Sequence, residues 1–226
     1  TVHEAIFNPA SRSFRCPSSQ QGYSPFTTWT RGLAWAMLGF AEQIEFISSL
    51  PESDFGQSGL MTRAEAMAFL HKAAKATCDF YINQGSAADG VCYWDTGAPN
   101  LHCLGDWKNR PADPYNQYEP VDSSAAAIAA QGLIRLGHFL GPTGETYLHA
   151  GLTIAQTLLQ EPYLSKDTQH EGILLHSIYH RPNGWDYVPQ GAKVPYGESS
   201  MWGDYHMLEL GLLISKLAEN KYYTFF

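Results

Sequence analysis

Apolar side chains at Leu33, Met37, Phe40, Ile44 and Ile47 return every three or four residues, which predicts an amphipathic helix over 28–50. Gly32, Ala34, Ala36, Gly39 and Ala41 make that helix slim, so a neighbour can approach closely, and Pro51 closes it. The same period through Met67, Leu70, Ala74, Cys78 and Tyr81 predicts a second helix over 62–83. Thr62, followed three residues later by Glu65, forms a capping box at its start. Further helices are expected over 123–140, with Asp122 or Ser123 as N-cap, over 144–160, and over 198–219.

Between the helices the pattern changes. Residues 1–27 have no helical period and carry Pro9, Pro17, Gly22 and Pro25, so they read as extended segments and loop. The stretch 85–121 holds Pro99, Pro111, Pro114 and Pro120 and is rich in Tyr and Trp. A loop this long is functional or disordered, and its rings argue against disorder. Residues 163–196 read as irregular chain with short strands: 173–179 has strand-forming residues, and Arg181-Pro-Asn-Gly184 reads as a turn.

The helices pair as two antiparallel hairpins plus an unpaired fifth. The first, third and fifth open with Thr27-Thr-Trp-Thr-Arg-Gly32, Val121-Asp-Ser-Ser-Ala125 and Gly197-Glu-Ser-Ser-Met-Trp-Gly-Asp-Tyr205. These starts are polar and rich in small residues, whereas the helices between them start ordinarily. Such alternation suggests a toroid of hairpins in which every second helix is an inner one. The inner N-terminal ends then point at a common pocket, where free N–H groups and helix dipoles suit an anion such as a carboxylate.

Composition narrows the classes. Among 226 residues, 14 are basic and 22 acidic, for a net charge of −8, and no basic run exists. That argues against nucleic acid as a partner. Only 16% of residues are charged and 13% are aromatic, so a large core can form. No apolar stretch is long enough to cross a bilayer, so no membrane partner is expected, and no signal-peptide pattern is visible. Cys92 and Cys103 bracket a loop and could form a bridge; free thiols in a reducing compartment fit equally, and localisation stays unknown, with the cytoplasm slightly favoured.

Arg31 lies in the first turn of the first inner helix, where a cation opposes the dipole by about 0.3–1 kcal/mol, which hints at another duty. Trp35 is four residues on, on the same face, and Trp29 is just upstream. A guanidinium among indoles suits a sugar acid, the fork taking the carboxylate and the rings stacking on C–H faces. A buried arginine satisfied by carbonyls, with the tryptophans as core, fits the same spacing. Asp95 reads as a turn cap or an acid, Asp122 and Glu198 as helix caps, and Asp204 as a brace for Arg or Tyr. His176 and His180 are four apart but on an extended segment without a third ligand, so no metal site is expected.

Several blocks together resemble unsaturated glucuronyl hydrolases, family 88 of the glycoside hydrolases. They are Gln21-Gly-Tyr-Ser with Thr28-Trp-Thr-Arg-Gly-Leu-Ala-Trp-Ala36, Asp122-Ser-Ser-Ala-Ala-Ala-Ile-Ala-Ala130, Gly172-Ile-Leu-Leu-His-Ser-Ile-Tyr-His-Arg-Pro-Asn-Gly184, and Gly197-Glu-Ser-Ser-Met-Trp-Gly-Asp-Tyr-His206. The resemblance implies an all-α (α/α)6 barrel, a six-hairpin toroid, with short strands and long loops. It implies action on oligosaccharides left by polysaccharide lyases, by hydration of the C4=C5 bond of a terminal 4,5-unsaturated uronic acid, with no cofactor. An aspartic acid protonates C4 and then directs water onto C5, and the hemiketal collapses.

Carried over by position, His3 looks like the histidine near the catalytic water, and Gln21 like its hydrogen-bonding neighbour. Trp29, Arg31 and Trp35 look like the wall holding the unsaturated sugar. Ser199 and Ser200 face its carboxylate or a sulfated sugar, and Tyr179 and His180 are looser matches. The two key aspartates of the family fall upstream of Thr1. Residues 1–226 therefore read as the C-terminal part of a single catalytic domain, an incomplete barrel, completed by an N-terminal segment or a second chain. This chain alone is expected to be inactive. The alternatives are a catalytically inactive carbohydrate-binding or assembly module of the same fold, or another toroidal carbohydrate enzyme such as a rhamnogalacturonyl hydrolase or a sugar epimerase.

Overall fold

The structure, a computed structural model, describes residues 3–55, 61–224 and 226. Its five α-helices are α1 (Thr30–Ser49), α2 (Arg63–Phe80), α3 (Ser123–Leu140), α4 (Glu145–Leu158) and α5 (Met201–Ala218). A short antiparallel hairpin, β1 (Glu4–Phe7) with β2 (Phe14–Ser18), precedes them. Each helix falls where the hydrophobic period places it. The Thr62–Glu65 capping box forms, satisfying two donors at the start of α2. Beyond α2 the chain widens into one turn of π-helix, Tyr81–Gly85. Leu50, held extended before Pro51, stops α1.

α3 is the axis of the molecule. Residues 123–137 are all buried, so this helix is covered on every side. Small residues allow it. A Cβ on Gly132 would lie 2.8 Å from the backbone nitrogen of Leu38 in α1, and one on Gly137 would lie 2.6 Å from that of Leu148 in α4.

Side-chain register fixes the directions. Arg31 meets Ser124 near the starts of α1 and α3, and Arg135 meets Glu45 near their ends, so the two helices run parallel. Trp202 meets Ser124 and His206 meets Gln131, so α5 is parallel to α3 as well. Arg63 at the start of α2 donates to the Ile47 and Ser48 carbonyls at the end of α1, which makes that pair an antiparallel hairpin. The expected alternation is thus present: α1, α3 and α5 share a direction, with α2 and α4 returning outside them.

The far ends of the inner helices are tied by a buried ion cluster. The Arg135 side chain is fully buried and donates to Glu45 at 3.0 Å, to the Tyr222 hydroxyl at 3.2 Å and to the Tyr223 carbonyl at 3.2 Å. Tyr222 stacks on His138 with ring centroids 3.8 Å apart and donates to Glu45.

Two expectations are corrected. The segment 173–179 forms no strand; its pairing is a single bridge, Leu164 to Leu174. Its backbone donors go elsewhere: Ile173 and Leu174 to the Asp204 carboxylate, Ser177 to the Glu198 carbonyl, and Ile178 to Asp122. Nor do Cys92 and Cys103 form a bridge. Cys92 is buried beneath α3, donating to the Asp122 carbonyl, whereas Cys103 is exposed on the turn Leu101–Leu104. Among the described residues, no helix is long and apolar enough to cross a membrane.

Candidate functional site

The three parallel helices bring their N-terminal ends to one place, and Arg31 is the knot that ties them. Its guanidinium is buried, pairing with Asp122 at 2.9 Å and donating to the Ile178 carbonyl. It also donates to the Tyr179 carbonyl at 2.8 Å and to Gln21 Oε1 at 3.1 Å. The Trp29 ring lies on it at 5.1 Å and the Trp202 ring at 4.9 Å. Asp122, wholly buried, caps α3 through the Ala125 N–H and accepts from Ile178 and Ser124. Both terminal nitrogens of Arg31 are thereby engaged by protein acceptors. These contacts match the buried-arginine alternative. Asp122 likewise does more than cap, because it holds the counter-charge.

Beside this knot lies a hollow of about 370 Å³ lined by residues that include Tyr179, Trp185, Asp186, Ser199, Ser200 and Trp202. Its aromatic wall is continuous, with Tyr179 5.3 Å from Trp202 and 5.6 Å from Trp185. Ser200 caps α5 by accepting from the Gly203 N–H, and Ser199 packs against Gly172. Asp186 accepts from the Tyr179 and His180 backbone N–H groups, and its burial raises its pKa against the pull of those donors.

The other carried-over residues divide between facing and supporting positions. His3 stands 4.6 Å from the Trp29 ring, and its Nδ1 accepts from the Gln20 and Gln21 N–H groups. Those bonds assign the ring proton to Nε2, which leaves an N–H to offer. Gln21 spends its carbonyl oxygen on Arg31 and keeps its amide donors. Trp29 is 9% exposed and packed under Gly32, so it props Arg31 and is no open stacking face. Trp35 lines a different hollow of about 320 Å³ with Leu38, Gly39, Glu42, Tyr205 and His206, one turn along both helices. His180 is buried, accepts from Asn183 and lies against Trp185, so it braces the turn and does not face the hollow. Tyr179 is half exposed at the rim.

Asp95 is buried and accepts from the Tyr23 and Gly97 N–H groups, the turn-capping alternative. Asp204 braces the backbone of Ile173 and Leu174 and not an Arg or Tyr hydroxyl. Trp202, Trp185 and Asp186 were missed by sequence reasoning. Trp202 carried a signal, since it repeats the Trp near the start of α1; the other two sit in irregular chain whose fold the pattern does not reveal. Two histidines are held neutral. His206, against Trp35 and Gln131, is pushed down to about 4 by burial, and so is His176 among Tyr115, Tyr163 and Tyr196.

Fold and site together define a helical-hairpin protein whose parallel inner helices end at an aromatic-walled hollow. The chain is similar to unsaturated glucuronyl hydrolases over 92–99% of its length. It is 27% identical over 229 residues to the unsaturated glucuronyl hydrolase of Bacillus sp. strain GL1, covering 99% of this chain and 48% of that one. It is 27% identical over 208 residues to that of Formosa agariphila, covering 92% and 41%. The crystal structure of the Bacillus sp. GL1 enzyme superimposes with a TM-score of 0.67 at 25% identity, over 96% of this chain and 47% of that one. No family model matches. These relatives are glycoside hydrolases, and the chain spans a little under half of their length.

Proposed function

We propose that this chain supplies the substrate-binding side of a glycosidase acting on 4,5-unsaturated uronyl oligosaccharides, in the manner its resemblance implies: hydration of the C4=C5 bond. The observation that carries the reading is the meeting of the α1, α3 and α5 starts beside an aromatic hollow, in a chain similar to unsaturated glucuronyl hydrolases. Gln21, through its amide donors, and His3, through Nε2–H, hold the uronate and the attacking water. Tyr179, Trp202, Ser199 and Ser200 hold the sugar beyond it, and Trp35, in the neighbouring hollow, a further part of the oligosaccharide. Arg31, Trp29 and His180 hold these groups in place.

The proton donor comes from outside this chain. Each aspartate near the hollow already serves the fold: Asp122 is paired with Arg31, while Asp95, Asp186 and Asp204 each accept two backbone N–H bonds. Of these four, Asp186 lines the hollow. We therefore read residues 1–226 as one part of a single (α/α)6 catalytic domain, completed by further hairpins on the same polypeptide or on another.

Two measurements test this. The purified chain should bind an unsaturated uronyl disaccharide, followed by tryptophan fluorescence, and should leave its double-bond absorbance near the ultraviolet edge unchanged. Turnover by the chain alone would refute the missing donor. No difference between the unsaturated disaccharide and its saturated counterpart would refute the substrate.

A further inference from the structure

The hollow beside Arg31 has a charge that is opposite to what a sulfated sugar needs. Its described lining includes two carboxylates, Asp186 and Glu198, and no lysine or arginine. The cation beneath its wall, Arg31, is bonded to Asp122 at 2.9 Å, and the two act on Asp186 with opposite signs. The remaining positive feature is the start of α5. A helix terminus is equivalent to about half an elementary charge, and one of its donors, the Gly203 N–H, is already taken by Ser200. Half a positive charge does not offset two carboxylates.

The walls, by contrast, suit an uncharged ring. Tyr179, Trp185 and Trp202 present apolar faces for sugar C–H groups, and Ser199 offers a hydroxyl. Two backbone donors fix the Asp186 carboxylate at the wall and favour its ionised form, against the burial that raises its pKa.

Building on the function proposed above, we infer that this hollow is a specificity site for an uncharged sugar residue and that its carboxylates reject a sulfate-bearing one. Like charges brought together across a partly desolvated site are a common device for excluding a wrong partner. The subsite thus selects uronyl oligosaccharides whose second residue is neutral, or was desulfated before reaching this protein.

The test uses the full 226-residue chain. Its tryptophan fluorescence is titrated with an unsaturated uronyl N-acetylhexosamine disaccharide and with the 6-sulfated form. The unsulfated sugar should bind about tenfold more tightly at low salt, and the ratio should shrink as salt screens the repulsion. Asp186→Asn should bring the ratio to within about threefold, mainly by improving the sulfated ligand, and the exposed Glu198→Gln should act in the same direction. Equal or tighter binding of the sulfated sugar by the unaltered chain would overturn this inference while leaving the substrate class standing. A ratio insensitive to salt and to both substitutions would overturn it as well. Absence of binding by either sugar would overturn both the inference and the function on which it rests.

Discussion

At the scale of single residues, the strongest consequence concerns Arg31. A cation in the first turn of a helix is unfavourable for the dipole, and that cost hints at another duty. The structure points to Asp122, 91 residues further along the chain, with both side chains almost wholly buried. Removing one partner of a buried pair leaves an uncompensated charge. Arg31→Ala should therefore lower stability by about 3–5 kcal/mol, read from the urea midpoint. Arg31→Lys should recover only part of it, because an ammonium cannot reach the Gln21, Ile178 and Tyr179 oxygens together. A substrate role alone would leave the midpoint unmoved. His176 and His206 give a second prediction. Each stays neutral in the fold down to about pH 4, whereas an unfolded histidine takes its proton near 6.5. Between those values the unfolded state binds more protons at these two sites, so their contribution to stability falls as pH drops through 6.5 and levels off below about 4. The slope is about 1.4 kcal/mol per pH unit for each histidine. His206→Gln should flatten the fall by about half, measured as urea unfolding across that range.

At the scale of elements, the parallel packing of α1 on α3 depends on glycine. Gly132→Ala would push a methyl into the backbone of Met37 and Leu38, where no side chain can swing aside, and should cost about 1–3 kcal/mol. Gly211→Ala in α5, with nothing within 4 Å of the new carbon, should stabilise by up to about 1 kcal/mol through helix propensity. Thermal unfolding of both variants separates close approach from propensity. These elements also show what the sequence discloses. The span 123–140 of α3 is legible in the sequence, and of its two candidate caps Asp122 takes the role, with Gly141, at φ 58°, at its end. The start of α5 was placed three residues early, since Glu198, Ser199 and Ser200 are all plausible openings and only Ser200 takes the cap. The strand expected over 173–179 failed for a reason that propensity cannot register. Asp122 and Asp204, distant in sequence, and Asp186, further along the same irregular stretch, take donors a ladder would have used. The same distance hid the partner of Arg31 and the aromatic wall around Trp185. Local periodicity reports which face of a helix is apolar; it does not report which loop comes to rest on its end.

At the scale of the whole molecule, α5 carries two apolar faces where one is used. Gly203, His206, Met207, Leu210 and Leu213 are buried. Met201, Tyr205, Leu208 and Leu212 form a second stripe, at spacings of four, three and four, and are 44–84% exposed. Trp35 on α1 is exposed beside Tyr205, so the two helices leave an apolar edge facing away from α3. Such an edge needs cover, and in the proposed ring a further inner helix would provide it. The chain by itself should accordingly self-associate with rising concentration in sedimentation and bind an apolar dye. Leu208→Lys with Leu212→Lys should abolish both effects while leaving the thermal midpoint within a few degrees, because neither side chain contributes to the buried core. The same double substitution, placed in a protein that contains the completing hairpins, should destabilise it, since two lysines would then be forced under a helix. A chain that stays monomeric and dye-free without the substitutions would mean that its edge is already satisfied, and the ring would lose its main physical motive.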